Sequence, residues 1–221
     1  MAKIIVLLAL LAPAAGFVGP ASTAPATGLN ADATGYDGVI APMGYFDPLG
    51  LGNRVNDQTL AWFRAAEIKH GRVAMAAFLG CVVTGLGVHW PGAIDLDGTT
   101  FASLADGGVL GAWDKIPADG KQQLVAAIGG IESVFEMQKP HYCAGGTPGK
   151  VRLTGTTAGV LEAKYDAADL KKRRDMELSN GRLAMLGMAS LVAADSISGS
   201  VPAIAKYFSG AYAGGLPFSP F

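Results

Sequence analysis

The sequence predicts an all-α membrane protein with three transmembrane helices, the first and third crossed about a pseudo-two-fold axis. Three observations lead there. Three apolar segments are each bounded by charge, and the Gly/Pro/Asp-rich connections between them lack the alternation of strands. A nine-residue motif occurs twice, once in the first apolar segment and once in the third. Composition agrees: half of the 221 residues are hydrophobic, only 16% are charged, and Gly numbers 31. The mean hydropathy is +0.33. Such a chain suits closely packed membrane helices. A net charge of -1, with no basic patch interleaved with aromatics, excludes nucleic acid as a partner. Cys81 and Cys143 are too few for a disulfide framework and read as free thiols.

The N-terminus divides from the rest. Lys3, the apolar run Ile4–Ala12 and the small residues Ala14, Ala15 and Gly16 read as a signal peptide over residues 1–16. The run is too short to span a bilayer, which takes about 20 residues. Residues 17–31 are rich in Ser, Thr, Ala and Pro and hold no acid, as in a transit peptide. Together they predict a plastid protein that enters by the secretory route, with a single domain over 32–221.

The helices are expected at about 59–88, 121–139 and 169–198. Val73 to Val88 is the longest uncharged stretch of the first, and Glu132 and Glu136 interrupt the second. Charge in the connections sets the orientation. Between Val88 and Gly120 stand five acids (Asp95, Asp97, Asp106, Asp114, Asp119) and one base, Lys115. Between Lys139 and Arg174 stand eight bases and three acids, Glu162, Asp166 and Asp169. Basic connections stay on the side of synthesis. The second connection is therefore expected in the stroma, with the N-terminus stromal and the C-terminus lumenal. Trp62, Trp90 and Trp113 are placed as interfacial anchors.

The repeat carries the chemistry. Glu67-Ile68-Lys69-His70-Gly71-Arg72-Val73-Ala74-Met75 aligns without gaps on Glu177-Leu178-Ser179-Asn180-Gly181-Arg182-Leu183-Ala184-Met185, at an offset of 110. Glu67 and Arg72 are five apart, so on one helix they point about 140° from one another. They cannot pair there, yet an unpaired charge in a bilayer costs at least about 2.5–3.5 kcal/mol. If the two helices cross, Glu67 meets Arg182 and Glu177 meets Arg72, and Gly71, Ala74, Gly181 and Ala184 let the backbones approach. A carboxylate bridged to Arg keeps an oxygen, on the same face as His70 or Asn180 three residues on. Oxygen and imidazole ligands facing outward suit a hard cation with one open position, such as the magnesium of a chlorophyll. Met75 and Met185 read as packing residues. No nucleophile–base set, phosphate loop or dedicated metal cluster appears, so no enzyme is expected.

The two motifs, ExxHGRxAM and ELxNGRLAM, resemble the signature helices of the eukaryotic light-harvesting complex superfamily. The Phe46–Leu51 segment, FDPLGL, is similar to the one ahead of that family's first helix. The stretch Trp62–Gly80 and the leader are most similar to chlorophyll a/c antennae of dinoflagellates or diatoms. The resemblance implies chlorophyll a, chlorophyll c and a carotenoid (peridinin, fucoxanthin or diadinoxanthin), in a plastid thylakoid membrane. It implies photosystem I or II, other antenna subunits and thylakoid lipid as partners. It implies light harvesting with transfer of excitation, or, as the alternative, photoprotective quenching. Carried over residue by residue, Glu67, His70, Glu177 and Asn180 match the family's magnesium ligands, and Arg72 and Arg182 its interhelical ion-pair residues. On the middle helix Glu132 and, nine residues before it, Gln123 match; Glu136 competes with Glu132, its other reading being a helix-end charge reaching the interface. Asp47 and Pro48 match a carotenoid-headgroup segment, with a simple turn as the other reading. His89 and His141 read as solvated loop histidines. Many relatives place a Gln ligand fourteen residues after the Asn; that position is Ala194 here, leaving Asp195, a water or no pigment.

Overall fold

A computed structural model of the chain describes residues 36–105, 108–150, 165–197 and 200–202, with side chains placed outside 105–110. The expected leader (1–16 and 17–31), Asp106, Arg152, Glu162, Lys164 and residue 198 lie outside the described residues. The architecture is all-α. Among the described residues five helices follow in order: α1 (Asp57–Gly85), α2 (Phe101–Ala105), α3 (Gly108–Asp114), α4 (Ala118–Glu136) and α5 (Ala167–Ser196). Single 3-10 turns stand at Gly52–Arg54 and Tyr142–Ala144. Among the described residues the only β pairing is two isolated bridges, Ile40 with Gly44 and Ala93 with Thr100.

Each long helix starts two or three residues earlier than expected and ends two or three earlier, and the starts have a local cause. The Asn56 carboxamide accepts the Thr59 N–H at 2.9 Å, with Asp57 in the first turn. Asp166 accepts the Ala167 N–H at 2.8 Å, with Asp169 in the first turn. Both side chains satisfy N–H groups that a helix start leaves without partners, and both acids complement the helix dipole. The connection read as a loop over 89–120 also contains two short helices, α2 and α3, and α3 packs on α5.

Among the described residues no helix is long and apolar enough to cross a membrane. The expected three crossings are therefore not carried by hydropathy. Length is not the shortfall: α1 and α5 hold 29 and 30 residues, roughly 43–45 Å at 1.5 Å each. Their charges are. The first half of α5 holds Asp169, Lys171, Lys172, Arg173, Arg174, Asp175 and Glu177, with Arg182 just beyond it.

The core is the crossing of α1 on α5. Ala61, Ala65, Gly71 and Ala74 are buried on α1, and Leu178, Gly181, Leu191 and Ala194 on α5. The closest approach falls at the repeated glycines. A Cβ on Gly181 would lie 3.0 Å from the Gly71 Cα, and one on Gly71 would lie 3.2 Å from the Gly181 Cα. Only hydrogen fits on either side. Small residues exchanging contact in this way let dispersion act over a long stretch of backbone. Met75 and Met185 line a cavity of about 10 Å³ at the crossing, as packing residues do.

Reciprocity extends to the loops. Gly38, at φ +88°, sits against Leu178, and Gly149, at φ +79°, sits against Ile68, the residue that matches Leu178 in the repeat. A Cβ at Gly38 would fall 2.9 Å from Leu178 Cδ1, and one at Gly149 would fall 2.7 Å from Ile68 Cδ1. The left-handed backbone and the contact both favour glycine there. Each crossed helix is thus covered at its central apolar residue by a turn from the other half of the chain.

Helix α4 stands differently. It has no buried residue, and Leu124, Val125, Ile128, Ile131 and Val134 are exposed. What ties it to α1 is charge rather than packing. The two cysteines are free, as expected.

Candidate functional site

Two exchanged ion pairs close the crossing. Arg182 Nε meets Glu67 Oε1 at 2.8 Å and Arg72 Nε meets Glu177 Oε1 at 2.6 Å. Both expected pairs are present, and the four side chains come together across the glycine contact.

The two halves then differ. Arg64, one turn before Glu67, donates through Nη1 to Glu67 Oε2 at 2.6 Å. The oxygen expected to stay free on Glu67 is therefore shared, whereas Oε2 of Glu177 has no partner among the described residues. A carboxylate oxygen carries two lone pairs, so Glu67 still has an acceptor position. Two guanidiniums on one carboxylate leave surplus positive charge, and the N-terminal loop absorbs it. Arg64 also donates to the Asp37 carbonyl, Arg182 Nη1 donates to the Gly38 carbonyl at 2.9 Å, and Asp37 Oδ2 pairs with Arg174 Nε at 2.8 Å. The Gly38 N–H closes the clasp on Asp175 Oδ1 at 2.6 Å. Arg64 was absent from the sequence reading although a helix brings residues three apart together.

His70 and Asn180 occupy equivalent positions and do equivalent things. His70 Nδ1 lies 2.8 Å from the Ala66 carbonyl, and Asn180 Nδ2 donates to the Met176 carbonyl at 2.9 Å. A carbonyl only accepts, so Nδ1 of His70 bears the proton. Nε2 of His70 and Oδ1 of Asn180 are thereby left as acceptors. Both side chains are exposed. A helix carbonyl fixing one polar atom so that the other faces outward is how proteins orient a metal ligand. Neutral imidazole and amide oxygen both fit a magnesium that its own ring already fills in four positions.

On α4 the structure separates the candidates. Glu132 pairs with Lys69 of α1 through Oε2. Glu136 pairs with the same Lys69 through Oε1 at 2.8 Å, meets His141 Nε2 through Oε2 at 2.9 Å, and accepts the Tyr142 hydroxyl at 3.0 Å. Glu136 is therefore no charge reaching the interface. His141 is likewise no solvated loop histidine: its other nitrogen accepts the Cys143 N–H at 3.2 Å. Burial, then the Glu136 carboxylate, push the Tyr142 phenol up to about 12. Burial, then Glu136, also raise the Cys143 thiol, which keeps it protonated and unreactive. Gln123 is exposed in the first turns of α4, about 13 Å along the helix from Glu132, and the structure does not bring it to the other candidates. Ala194 and Asp195 are both buried, 3% and 5% exposed, so Asp195 does not face outward as a replacement ligand.

The FDPLGL segment forms a turn closed by its own acid. Asp47 accepts the Leu51 N–H at 3.0 Å, the Gly52 N–H at 2.7 Å and the Tyr45 hydroxyl at 3.2 Å. The Gly52 N–H first, then the Leu51 N–H and the Tyr45 hydroxyl, hold its carboxyl below the usual carboxylate range. The turn borders a cavity of about 670 Å³ whose walls include Tyr36, Phe46, Phe63, Arg64, Glu67 and Arg182. Asp47 thus faces the same space as the first ion pair. A group with a lowered folded pKa gives its stabilisation above the unfolded value of about 3.9 and loses it as pH falls through the folded value. Protection of the Leu51 and Gly52 amides, measured against their intrinsic exchange rates, should therefore hold from neutral pH down to about 4 and fall below. Asp47→Ala should quicken their exchange roughly tenfold at neutral pH, read by hydrogen exchange and mass spectrometry; unchanged exchange would refute the role of the side chain.

The fold and site define a helical protein whose crossed helices present charge-neutralised, magnesium-compatible ligands outward. The family model described as Chlorophyll A-B binding protein matches residues 32–196, and the chain belongs to that family. It is 36% identical over 203 residues to the fucoxanthin-chlorophyll a-c binding protein of Trieres chinensis, covering 90% of this chain and 97% of that one. Protein D of the same name from Phaeodactylum tricornutum is 34% identical over 205 residues, covering 90% and 98%. Protein B from Macrocystis pyrifera is 30% identical over 206 residues, covering 89% and 92%.

Proposed function

We propose that the chain is a light-harvesting antenna of the plastid thylakoid that binds chlorophyll a, chlorophyll c and a carotenoid and catalyses no reaction. One observation carries this reading. At matched positions of two crossed helices, His70 and Asn180 each give one polar atom to their own helix carbonyl and keep the other as an outward acceptor. Each stands three residues after an acid neutralised from the opposite helix. The relatives named above bind fucoxanthin and chlorophylls a and c, and their full-length similarity supports the same pigment classes here.

The pigments supply absorption and resonance transfer of excitation; the residues supply position. Glu67, Glu177 and Glu132 offer neutralised carboxylate oxygens, His70 a neutral imidazole and Asn180 an amide oxygen. Gln123 offers a further amide oxygen near the start of α4. Asp47 and Pro48 shape the wall of the cavity where a carotenoid end fits. The long helices α1, α4 and α5 cross the membrane because pairing of Glu67, Arg72, Glu177 and Arg182 neutralises the charges at the crossing that hydropathy counts against them, while Lys171 and Lys172 stand in the first turns of α5, next to the connection. Exposed Val73, Leu79, Leu183 and Leu186 on the crossed pair then meet lipid and pigment rather than water. The acidic connection faces the lumen, the basic one the stroma, and excitation passes to a photosystem and neighbouring antenna subunits.

Reconstitution of the purified chain with chlorophylls and carotenoid should give Soret and red bands that survive gel filtration. His70→Ala and Asn180→Ala should each lose one chlorophyll per chain at near-ordinary yield, counted by pigment chromatography. Undiminished pigment in both variants would refute the assignment.

A further inference from the structure

We propose that Lys69 is the positioning residue for the middle helix: it neutralises Glu132, selects it over Glu136 as the magnesium ligand and fixes α4 beside α1. The inference deepens the antenna reading, and rests on Glu132 holding a pigment.

Glu132 and Glu136 are four residues apart and so share one face of α4. Two carboxylates placed that way repel, and among the described residues the only cation bridging them is Lys69, which meets Glu132 Oε2 and Glu136 Oε1. Lys69 suits this task because its ammonium is a compact charge with three rotatable donors, enough to serve two acids at once. The two acids are then no longer equivalent. Glu136 is saturated, with two contacts on each oxygen: Lys69 and the Tyr142 hydroxyl on Oε1, His141 Nε2 and the same hydroxyl on Oε2. Glu132 gives Oε2 to Lys69 and keeps Oε1, which no described residue takes. The competition left open by the sequence closes in favour of Glu132.

Position follows from the same contact. Helix α4 buries no residue of its own, so packing does not decide where it stands. In the repeat Lys69 matches Ser179, whose hydroxyl turns back to the Asp175 carbonyl of its own helix at 2.9 Å. The α5 copy of the motif therefore offers no cation at this place, and α4 is held on the α1 side of the pseudo-two-fold. With Lys69 included, each candidate carboxylate ligand is neutralised by a base from another helix: Glu67 by Arg182, Glu177 by Arg72 and Glu132 by Lys69.

The full chain, reconstituted with chlorophylls and carotenoid, tests this through pigments per polypeptide and yield. E132A should lose one chlorophyll, and K69M should lose one as well or fail to assemble. K69R should keep the full complement. The double variant K69M/E132Q removes the uncompensated charge while keeping an oxygen ligand, so it should regain both yield and pigment. A full complement in K69M beside a loss in E132A overturns the role of Lys69 and leaves Glu132 as a ligand. A full complement in E132A removes the premise and the inference with it. Failure of K69M/E132Q to improve on K69M overturns charge compensation in favour of packing alone.

Discussion

Arg72→Leu is expected to depress the yield of pigmented protein roughly a hundredfold, far more than His70→Ala. Arg72 Nε holds Glu177 at 2.6 Å, and no other base among the described residues pairs with that carboxylate. Removing one partner leaves the other charge in an apolar surround, at a cost of about 3 kcal/mol on insertion scales, and 1.4 kcal/mol is a factor of ten. The side chains are 40% and 34% exposed in the bare chain, so the low end of the range for broken ion pairs applies. His70→Ala takes away a proposed ligand and strands no charge. The asymmetry of the site adds a sharper comparison. Arg182→Leu should cost less than Arg72→Leu, since Arg64 still holds Glu67 at 2.6 Å. Arg72→Leu combined with Glu177→Leu should restore yield while the α5 pigment stays lost. Equal yields for Arg72→Leu and His70→Ala, read by reconstitution and gel filtration, would refute the exchanged pairing.

Those pairs were legible in the sequence because an apolar setting makes charge satisfaction close to compulsory. Two acids and two bases at matched places in a repeat have one economical arrangement, and a crossing at Gly71 and Gly181 follows from it. The rest was hidden for identifiable reasons. The clasp of Asp37 and Gly38 on Arg64, Arg174, Asp175 and Arg182 runs through loop backbone, which has no periodicity to read. Lys69 falls where the repeat departs from itself, against Ser179, so reasoning from symmetry passes over it. The helix starts were readable in principle: Asn56 before Asp57, and Asp166 three residues before Asp169, are ordinary start signals. Helices α2 and α3, at five and seven residues, are too short to leave a periodic pattern. The proposed membrane crossing is the reverse case, since hydropathy counts each charge singly whereas the structure pairs Glu67 with Arg182 and Glu177 with Arg72.

Substitution at the crossing should separate close backbone approach from charge pairing as the source of stability. Gly181→Ala would place a methyl 3.0 Å from the Gly71 Cα and 3.5 Å from its carbonyl carbon. Both neighbours are backbone, so the helices must part rather than a side chain turn aside. Overpacking of this kind costs about 1–3 kcal/mol, against which alanine returns about 1 kcal/mol of helix propensity. Gly181→Leu has no such offset and should abolish assembly. Parting the helices also lengthens both ion pairs, which lie on either side of the same contact, so in a cycle with Arg72→Leu the double variant should lose less than the sum of the two single losses. Two other glycines calibrate the scale. At Gly187 the nearest atom to a Cβ is the Phe78 ring at 3.1 Å, which can swing, and Gly187→Ala should be near neutral. At Gly129 of α4 nothing lies within 4 Å, and Gly129→Ala should stabilise by about 0.5–1 kcal/mol. Thermal loss of pigment circular dichroism would rank the three. If Gly181→Ala proved as harmless as Gly129→Ala, the helices would not be held at the distance their glycines permit, and exchanged pairing at 2.6–2.8 Å would lose its geometric basis.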